Sequence, residues 1–489
     1  MTSVVPSSPT PEGVRAATDG GGARSHLALK KVLGPAHIWG LGVGIVLVGE
    51  YMGWNFSVQK GGMFGALIAA WVVGVLYTCV AMIDSEVTST VAAAGGQYTQ
   101  AKHMIGPLMA FNVGLFLVLE YTMLEAADAN VMSYLVSTIA THLGYTGSVN
   151  QYAFIILAIM VLAFLNYRGV LATLSINLVI TAVAALAIVV LFISLQGWSP
   201  DAQLHFHGLA SSHANALPYG WLGVLAAFQF GMWYYLGIEG TCQAAEECRS
   251  AARSIPLGTM TGIITLLLAA VLTWYVCVGS LPWQYLSVSI TPLFDTALVS
   301  AGGAVATLLA VGTVFATLAS ANGCINDASR AWFSMGRDNY LPAWFGAIHP
   351  RYRTPFRAIL FLVPVAIAFA ILPVLLNKPE LLATVITFSI LSALLMYSFM
   401  VPNMFRFRKL WPLGRLHRGY THPLHPLPAI TLAVIAVLVL FATFLGYGTT
   451  LVTLVIFYLL ASVWFVLFRY RYVRKGQQFT MPWPRPKGY

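Results

Sequence analysis

Stretches of roughly 20 apolar residues recur along almost the whole chain, and each can cross ~30 Å of hydrocarbon as a helix. The composition agrees, because 58% of the 489 residues are hydrophobic and only 9% are charged, whereas a soluble domain carries about 25% charged residues. We therefore predict an all-α membrane protein with 12 transmembrane helices. The predicted spans one to twelve cover 36–58, 62–90, 107–140, 152–167, 170–196, 219–244, 257–279, 297–330, 357–376, 381–402, 428–446 and 449–469.

The spans define one unit rather than several domains. Residues 1–30 are rich in Pro, Gly, Ser and Thr, which predicts a disordered tail. This tail lacks the apolar core of a secretory signal, so we expect no cleavage. A single transmembrane domain is expected over 31–475, followed by a short tail over 476–489.

The basic residues predict the orientation. All but Lys60 and Lys378 of the 26 Lys and Arg residues fall in the tails and in loops on one side of the predicted spans. Basic loops stay in the cytoplasm, which places both termini there. The net charge of +10 then faces anionic lipid, and no nucleic-acid partner is implied. The predicted location is the cell membrane, as a multi-pass protein of a bacterial plasma membrane.

Cysteine and histidine give no sign of a disulfide, metal or cofactor. The five cysteines lie in or beside spans, and their number is odd. The loop histidines match no metal-site spacing, and we interpret them as solvated. They are His205, His207 and His213 in one loop and His417, His422 and His425 in another. The sequence also offers no nucleophile–base pair and no phosphate loop, so an enzyme is not predicted.

Span one contains a carboxylate between glycines, in the run Gly49-Glu50-Tyr51-Met52-Gly53-Trp54. An acidic side chain at mid-membrane costs about 2.5–3.5 kcal/mol on insertion scales unless it faces a cavity or a partner. Each glycine weakens a helix by ~1 kcal/mol relative to alanine. The run therefore predicts a broken helix whose freed backbone and charge line a binding site.

Span six repeats this pattern, with Gly231, Gly237 and Gly240 around Glu239. Spans one and six are five apart, as expected if spans one to five (36–196) and six to ten (219–402) are inverted repeats, with 428–469 added. Taken singly, each glycine cluster could instead serve close helix packing.

Span three carries three acids, Glu120, Glu125 and Asp128, without Lys or Arg. Tyr121, Glu125 and Asp128 share one helix face. At least one acid is expected to be protonated or paired with a bound cation. Alternatively, Glu120 and Asp128 lie near interfaces or bond neighbouring backbone. Asp84 and Glu86, at the cytoplasmic end of span two, are interpreted as structural.

Three groups of residues resemble signatures of the amino acid–polyamine–organocation permeases. They are Ser85-Glu86 with Ala94-Gly95-Gly96-Gln97-Tyr98; Trp233 to Glu239 with Ala245-Glu246-Glu247 and Ile255-Pro256; and Ser329-Arg330, Gly336-Arg337-Asp338, Leu341-Pro342 and Thr354-Pro355. The resemblance covers roughly residues 30–470. It departs at Ala92 or Ala93, where many members have proline, which affects a loop. It implies a LeuT-like 5+5 inverted repeat with broken helices 1 and 6, plus helices 11 and 12, in a secondary transporter that works by alternating access.

Within this superfamily, the run Gly49 to Phe56 most resembles the ethanolamine permease branch. Amino acid permeases hold the substrate carboxylate at this break, where Glu50 now lies. Two carboxylates 4 Å apart repel by about 4 kcal/mol at an effective dielectric constant of ~20. We therefore expect a small cationic amine, ethanolamine first, as the substrate. The alternative is an amino acid permease in which Glu50 points away from the site.

The expected site combines both breaks with span three. The predicted substrate-binding residues are Gly49, Glu50, Tyr51, Gly53, Tyr121, Glu125, Trp233, Tyr234 and Gly237. An aromatic face over an ammonium contributes ~0.5–2 kcal/mol, and the resemblance implies that Trp233 faces the substrate. The predicted gating or proton-linked residues are Glu239, Asp128 and Glu120.

The coupling ion and the oligomeric state stay open. Span five has no Lys or Arg, so the lysine that replaces sodium in some members is absent. Thr313, Thr317 and Ser320 could bind sodium, although such hydroxyls more often bond their own helix. Proton symport, exchange, uniport and sodium symport are all compatible, and proton-linked uptake or exchange is favoured. Asn322, Asn326 and Asp327 are interpreted as an inner-gate or loop-anchoring network.

Overall fold

The computed structural model describes residues 28–142, 144–147, 150–195, 217–378, 380–413 and 418–473. Residues 1–27, the tail from 474 onward, and His205, His207, His213 and His417 lie outside the described residues, and so do the predictions made for them. Across the described ranges the secondary structure is helical, with a single isolated bridge between Leu33 and Cys248. The predicted all-α class is confirmed.

The helices follow the predicted order of spans. The α-helices are Pro35–Tyr51, Asn55–Thr90, Gly96–Met104, Pro107–His142, Gln151–Arg168, Val170–Ser194, Gly220–Gly231, Ala251–Ser280, Trp283–Leu286, Pro292–Ser300, Gly303–Arg337, Phe356–Leu375, Glu380–Leu410 and Leu427–Trp464. Shorter 3₁₀ or π segments are Met232–Tyr234, Ile238–Glu247, Ala343–Gly346, Phe465–Arg469 and Tyr470–Tyr472.

Ten helical stretches in the described part of the chain are long and apolar enough to cross a membrane. The 17-residue helix Pro35–Tyr51 is the first part of a further span, and the helix that resumes at Asn55 completes this span. The stretch Leu427–Tyr472 holds two spans, because Tyr447 leaves helical geometry (φ −137°, ψ 40°) near its middle. Together these make the 12 predicted spans.

Both predicted helix breaks are present. Span one stops being helical after Tyr51 and resumes at Asn55, with Gly53 at φ +92° between them. Span six leaves α-helical geometry after Gly231, and Gly237 has φ +111°. These φ values lie in the left-handed region, which glycine adopts without the penalty that a β-carbon brings. The glycines therefore create the unwound segments.

The broken spans occupy the centre of the bundle. The helix Pro35–Tyr51 is apolar on all sides, and almost every residue from Ile38 to Tyr51 is buried. Spans four, five and twelve instead expose large apolar side chains such as Phe164, Val179 and Leu460. A helix that exposes apolar residues suits contact with lipid tails, whereas one buried all round belongs to the core.

Candidate functional site

The two helix breaks meet through main-chain contact. A β-carbon built on Gly49 would lie 1.9 Å from the Trp233 carbonyl oxygen, and one on Gly53 would lie 3.3 Å from the Trp233 ring. Only glycine at position 49 allows this approach, since any larger residue would overlap backbone atoms. The close approach brings the side chains of both unwound segments into one neighbourhood.

Glu50 lies in this neighbourhood without a hydrogen-bond partner. It is fully buried, and neither carboxylate oxygen accepts a hydrogen bond from any described residue. It interacts electrostatically with the phenols of Tyr234 and Tyr235. Burying a charge without a partner is costly, and buried polar groups are nearly always hydrogen-bonded. The carboxylate is therefore a group that a cationic ligand would satisfy.

Aromatic side chains lie in the same neighbourhood as Glu50. The rings of Trp54 and Tyr234 stack with centroids 6.0 Å apart. The indole nitrogen of Trp233 and the hydroxyl of Tyr234 are buried and lack hydrogen-bond partners among the described residues. The neighbourhood thus combines one carboxylate, π faces and two free donors, which suits an ammonium that also carries a hydroxyl.

Three other predicted binding residues have different surroundings. The Tyr51 hydroxyl donates a 2.7 Å hydrogen bond to the Ala184 carbonyl of span five. Gly237 donates its N–H to the Glu239 carboxylate at 3.2 Å. Tyr121 has a buried hydroxyl without a described partner. The phenol of Tyr51 thus joins helices, whereas that of Tyr121 is available to a ligand.

The acids of span three divide into two groups. Glu120 interacts electrostatically with Glu239, although neither of its carboxyl oxygens has a hydrogen-bond partner among the described residues. Tyr397 of span ten donates a 2.5 Å hydrogen bond to Glu239 and lies 3.0 Å from the Tyr77 hydroxyl. Two neighbouring carboxyl groups away from water favour a shared proton, because two like charges there repel strongly.

The second group is Glu125 with Asp128. Glu125 has no hydrogen-bond partner among the described residues, and its charge acts on Asp128 and on Cys324 of span eight. Asp128 lies beside Ser320. Glu125 and Glu50 therefore belong to different neighbourhoods, which the sequence alone did not separate.

Two of the three span-eight hydroxyls that could bind sodium are used within their own helix, whereas the hydroxyl of Ser320 has no hydrogen-bond partner among the described residues. Thr313 and Thr317 donate to the carbonyls of Leu309 and Thr313 in their own helix, at 2.7 and 2.8 Å. Among the described residues no group of three or more His, Cys, Asp or Glu side chains is arranged to hold a metal ion.

An amide chain links four spans. Asn166 of span four donates to the Asn322 side chain at 2.8 Å, Asn322 donates to Asn177 at 3.0 Å, and Asn177 donates to the Gly40 carbonyl at 3.0 Å. The sequence identified Asn322 but missed Asn166 and Asn177. Their signal was present, since each is an amide in an otherwise apolar span.

Ion pairs connect the ends of spans six and eight. Arg330 pairs with Glu247 through two hydrogen bonds of 2.7 and 3.0 Å, and both side chains are buried. Arg337 pairs with Glu246 at 3.0 Å in a partly buried position. These pairs lie at the start of span seven, at the end of the bundle where most basic loops cluster. They tie the ends of spans six and eight together.

A cavity of about 360 Å³ lies at the opposite end of span seven. Its walls include Gly53, Asn55, Asp128 and Trp233, and residues 288–290 of the following loop cover it. Asn55 holds that loop by donating 2.8 Å hydrogen bonds to the carbonyls of Leu286 and Ser289. Ion pairs thus tie one end of the bundle together, and the cavity lies towards the other end.

The structural interpretation of Glu86 agrees with its contacts. Its carboxylate pairs with Arg408 at 2.7 Å and with Arg418, and it accepts the N–H of His422 at 3.0 Å. His422 is buried here, so the interpretation of this histidine as solvated is wrong. Asp84 accepts a 2.7 Å hydrogen bond from Gln97. Both acids tie the end of span two to neighbouring segments.

Comparisons with known proteins bear on these features. A family profile described as amino acid permease matches residues 37–480. An uncharacterized transporter of Rhizobium meliloti is 65% identical, over 95% of this chain and 97% of that protein. The methylthioribose transporter of Bacillus subtilis is 26% identical over 65% of this chain and 69% of its own length. The branched-chain amino acid permease of the same organism is 25% identical, over 68% and 73%.

Proposed function

The chain belongs to the amino acid permease family, whose members are multi-pass membrane transporters, and from the surroundings of Glu50 we propose that it imports a small cationic amine that binds to this residue. Ethanolamine is the leading candidate. The proposed location is the plasma membrane of a bacterium, with both termini in the cytoplasm.

One observation carries the proposal: Glu50 is fully buried where the two breaks meet, and both of its oxygens lack partners among the described residues. A bound ammonium would offset this charge, whereas a substrate carboxylate nearby would be repelled. Trp54 and Tyr234 supply π faces beside it. The hydroxyl of ethanolamine would find donors in Trp233 and Tyr234.

Alternating access is supported by the asymmetry of the two ends. The Arg330–Glu247 pair ties together the end where the basic loops cluster, and the cavity lies towards the other end. In the proposed orientation the cavity faces outward. The substrate would reach Glu50 from that side and leave when the ion pairs separate.

Proton linkage is the proposed coupling, with exchange as the related mode. It is supported by the interaction between Glu120 and Glu239, which lies apart from Glu50. A proton shared by this pair would not occupy the substrate site at Glu50. It could therefore be exchanged with either side of the membrane without displacing the substrate. The hydroxyls of Thr313 and Thr317 bond their own helix, which gives less support to sodium.

A second candidate is an amino acid permease of the same family, which the family match favours. In that case Glu50 would not contact the substrate. The two proposals predict different effects of changing Glu50 on uptake, so one set of uptake measurements separates them.

The test is uptake of radiolabelled ethanolamine into proteoliposomes, with alanine, arginine, choline and putrescine as competitors. We expect accumulation that alanine does not inhibit, and loss of uptake in Glu50→Gln. Asp201→Asn makes the same carboxylate-to-amide change at a position that lies between predicted spans five and six in the sequence, and it should leave uptake unchanged. Uptake of alanine but not ethanolamine, retained in Glu50→Gln, would establish the second candidate instead.

A further inference from the structure

The cavity beyond Trp233 is large for a small amine. Its volume is about 360 Å³, and pockets for drug-sized ligands have volumes of about 300–1,000 Å³. Glu50 is not among its lining residues. The Trp233 ring lies against Gly53 and its carbonyl against Gly49, so this residue forms the boundary towards Glu50. The cavity is therefore a compartment distinct from the Glu50 neighbourhood.

Asp128 gives this compartment its charge. The side chain is 2% exposed and lines the cavity, and its Oδ2 atom has no hydrogen-bond partner among the described residues. No Lys, Arg or His occurs among the described residues that line the cavity. Glu125, one turn earlier on the same helix, does not line the cavity and reaches it only through its electrostatic interaction with Asp128. A buried carboxylate without a basic partner selects a cation as its ligand.

The remaining walls are mostly apolar. Val48, Met52, Phe56, Val131 and Ile386 line the cavity from spans one, three and ten. The polar groups of a hydrophilic ligand would find no partners on such walls. The hydrocarbon part of an apolar ligand, in contrast, is stabilised when these walls remove it from water. The Trp233 ring adds a π face that attracts an ammonium. A ligand that suits this compartment has a cationic head and an apolar body.

The mouth of the cavity has the same character. Val288 and Ile290, in the loop that covers it, are 70% and 65% exposed. The loop is held in place, because Ser289 donates a 2.6 Å hydrogen bond to Asp295. An amphiphilic cation arriving from this side would meet apolar side chains first and the Asp128 carboxylate afterwards.

From this geometry we propose that the cavity is a second, separate binding site for an ammonium compound with an apolar body, whose cationic head binds to Asp128 while Trp233 and the apolar walls cover the rest. The proposal goes beyond the role of Glu50 and does not depend on which substrate is transported. Alkylamines of about four to six carbons have the required chemistry.

The experiment is calorimetric titration of n-propylamine, n-butylamine, n-pentylamine and n-hexylamine into the full-length protein in nanodiscs, with empty nanodiscs subtracted. We expect the affinity to rise about fourfold for each added methylene, as for a CH₂ group transferred out of water. Hexanol and hexanoate should bind at least tenfold more weakly than hexylamine. Asp128→Asn should weaken hexylamine binding tenfold or more, whereas Glu50→Gln should leave it unchanged.

Three outcomes would overturn the proposal. They are an affinity independent of chain length, hexanol binding as tightly as hexylamine, and hexylamine binding that survives Asp128→Asn but is lost in Glu50→Gln. The comparison of hexylamine with hexanol uses the unaltered protein, so it decides the matter even if Asp128→Asn does not fold. Ethanolamine uptake in Glu50→Gln tests the proposed function separately.

Discussion

Gly49 and Trp233 touch through their main chains, with the position of a β-carbon on Gly49 only 1.9 Å from the Trp233 carbonyl oxygen. This contact joins the unwound segment of span one to that of span six. Because both partners are backbone atoms, neither can turn aside as a flexible side chain would. The geometry of the Glu50 neighbourhood therefore depends on residue 49 having no side chain.

Gly49→Ala should therefore disrupt the site. Overpacking of a filled core costs about 1–3 kcal/mol, so we expect a lower melting temperature in detergent and at least tenfold slower uptake. Gly303→Ala is the matched control, since no atom lies within 4 Å of its β-carbon position. Normal uptake and melting of Gly49→Ala would show that the contact is not required.

The Arg330–Glu247 pair should stabilise the end of the bundle where the basic loops cluster. Removing one partner of a buried pair costs about 3–5 kcal/mol, because the other charge is left uncompensated. Glu247→Gln should therefore lower the melting temperature by more than Glu246→Gln, whose pair with Arg337 leaves 23% and 18% of the two side chains exposed. Contact with water weakens an ion pair, down to about 0–1 kcal/mol for fully exposed pairs. Equal effects of the two changes would contradict this assignment.

Tyr397→Phe should impair proton-driven uptake selectively. The change removes the 2.5 Å hydrogen bond to Glu239, and a hydrogen bond to a charged group contributes about 1.5–3 kcal/mol. We expect uptake driven by a pH gradient to fall at least tenfold, while exchange of internal for external substrate continues, since exchange moves no net protons. The measurement compares both modes in the same proteoliposomes.

Tyr458→Phe serves as the control for that experiment. It also removes a buried phenol, but this phenol hydrogen-bonds to the neutral hydroxyl of Ser392 at 2.9 Å and interacts with Glu120 only electrostatically, without a hydrogen bond to either acid. We expect both transport modes to persist. If Tyr397→Phe and Tyr458→Phe behave alike, the pair of Glu120 and Glu239 is not the proton-linked group.

His422 should make stability depend on pH. Burial lowers the pKa of His422 to about 4, despite the nearby Glu86 carboxylate, which acts in the opposite sense. An unfolded chain binds a proton on histidine near pH ~6.5. Between these values the unfolded state holds more protons, so the folded state loses stability as the pH falls from 6.5 towards 4.

His422→Asn removes this pH-dependent contribution of the histidine to stability. The melting temperature of the variant should therefore decline less than that of the unaltered protein as the pH is lowered from 7 to 5. The other charged groups around position 422 are Arg408, Arg418 and His425, and they are the same in both proteins. Parallel declines would show that His422 titrates alike in the folded and unfolded chain.

The helix breaks could be predicted from the sequence because their cause is local. Gly53 and Gly237 take left-handed φ values that favour glycine, and a carboxylate close to each breaks the apolar pattern. The direction of Tyr51 could not be predicted as securely. Neighbouring helix positions point about 100° apart, so Tyr51 reaches Ala184 while Glu50 faces span six.

The partners of the acids could not be predicted, because they come from distant spans. Glu239 meets Tyr397, which is 158 positions later in an apolar helix where nothing in the periodicity distinguishes it. Glu120 and Glu125 are only five residues apart, yet they meet different neighbours. Helix-face arguments show which residues point the same way, but tertiary packing decides what each one meets.

The hydrogen bonds of Asn55 couple a loop to the helix break of span one. This amide ties the start of the second half of span one to the carbonyls of Leu286 and Ser289. A molecule that immobilises the loop around Ser289 therefore also restrains this half-helix. In the proposed orientation the loop faces outward, so an antibody fragment that binds it from outside the cell would slow transport without entering the binding site.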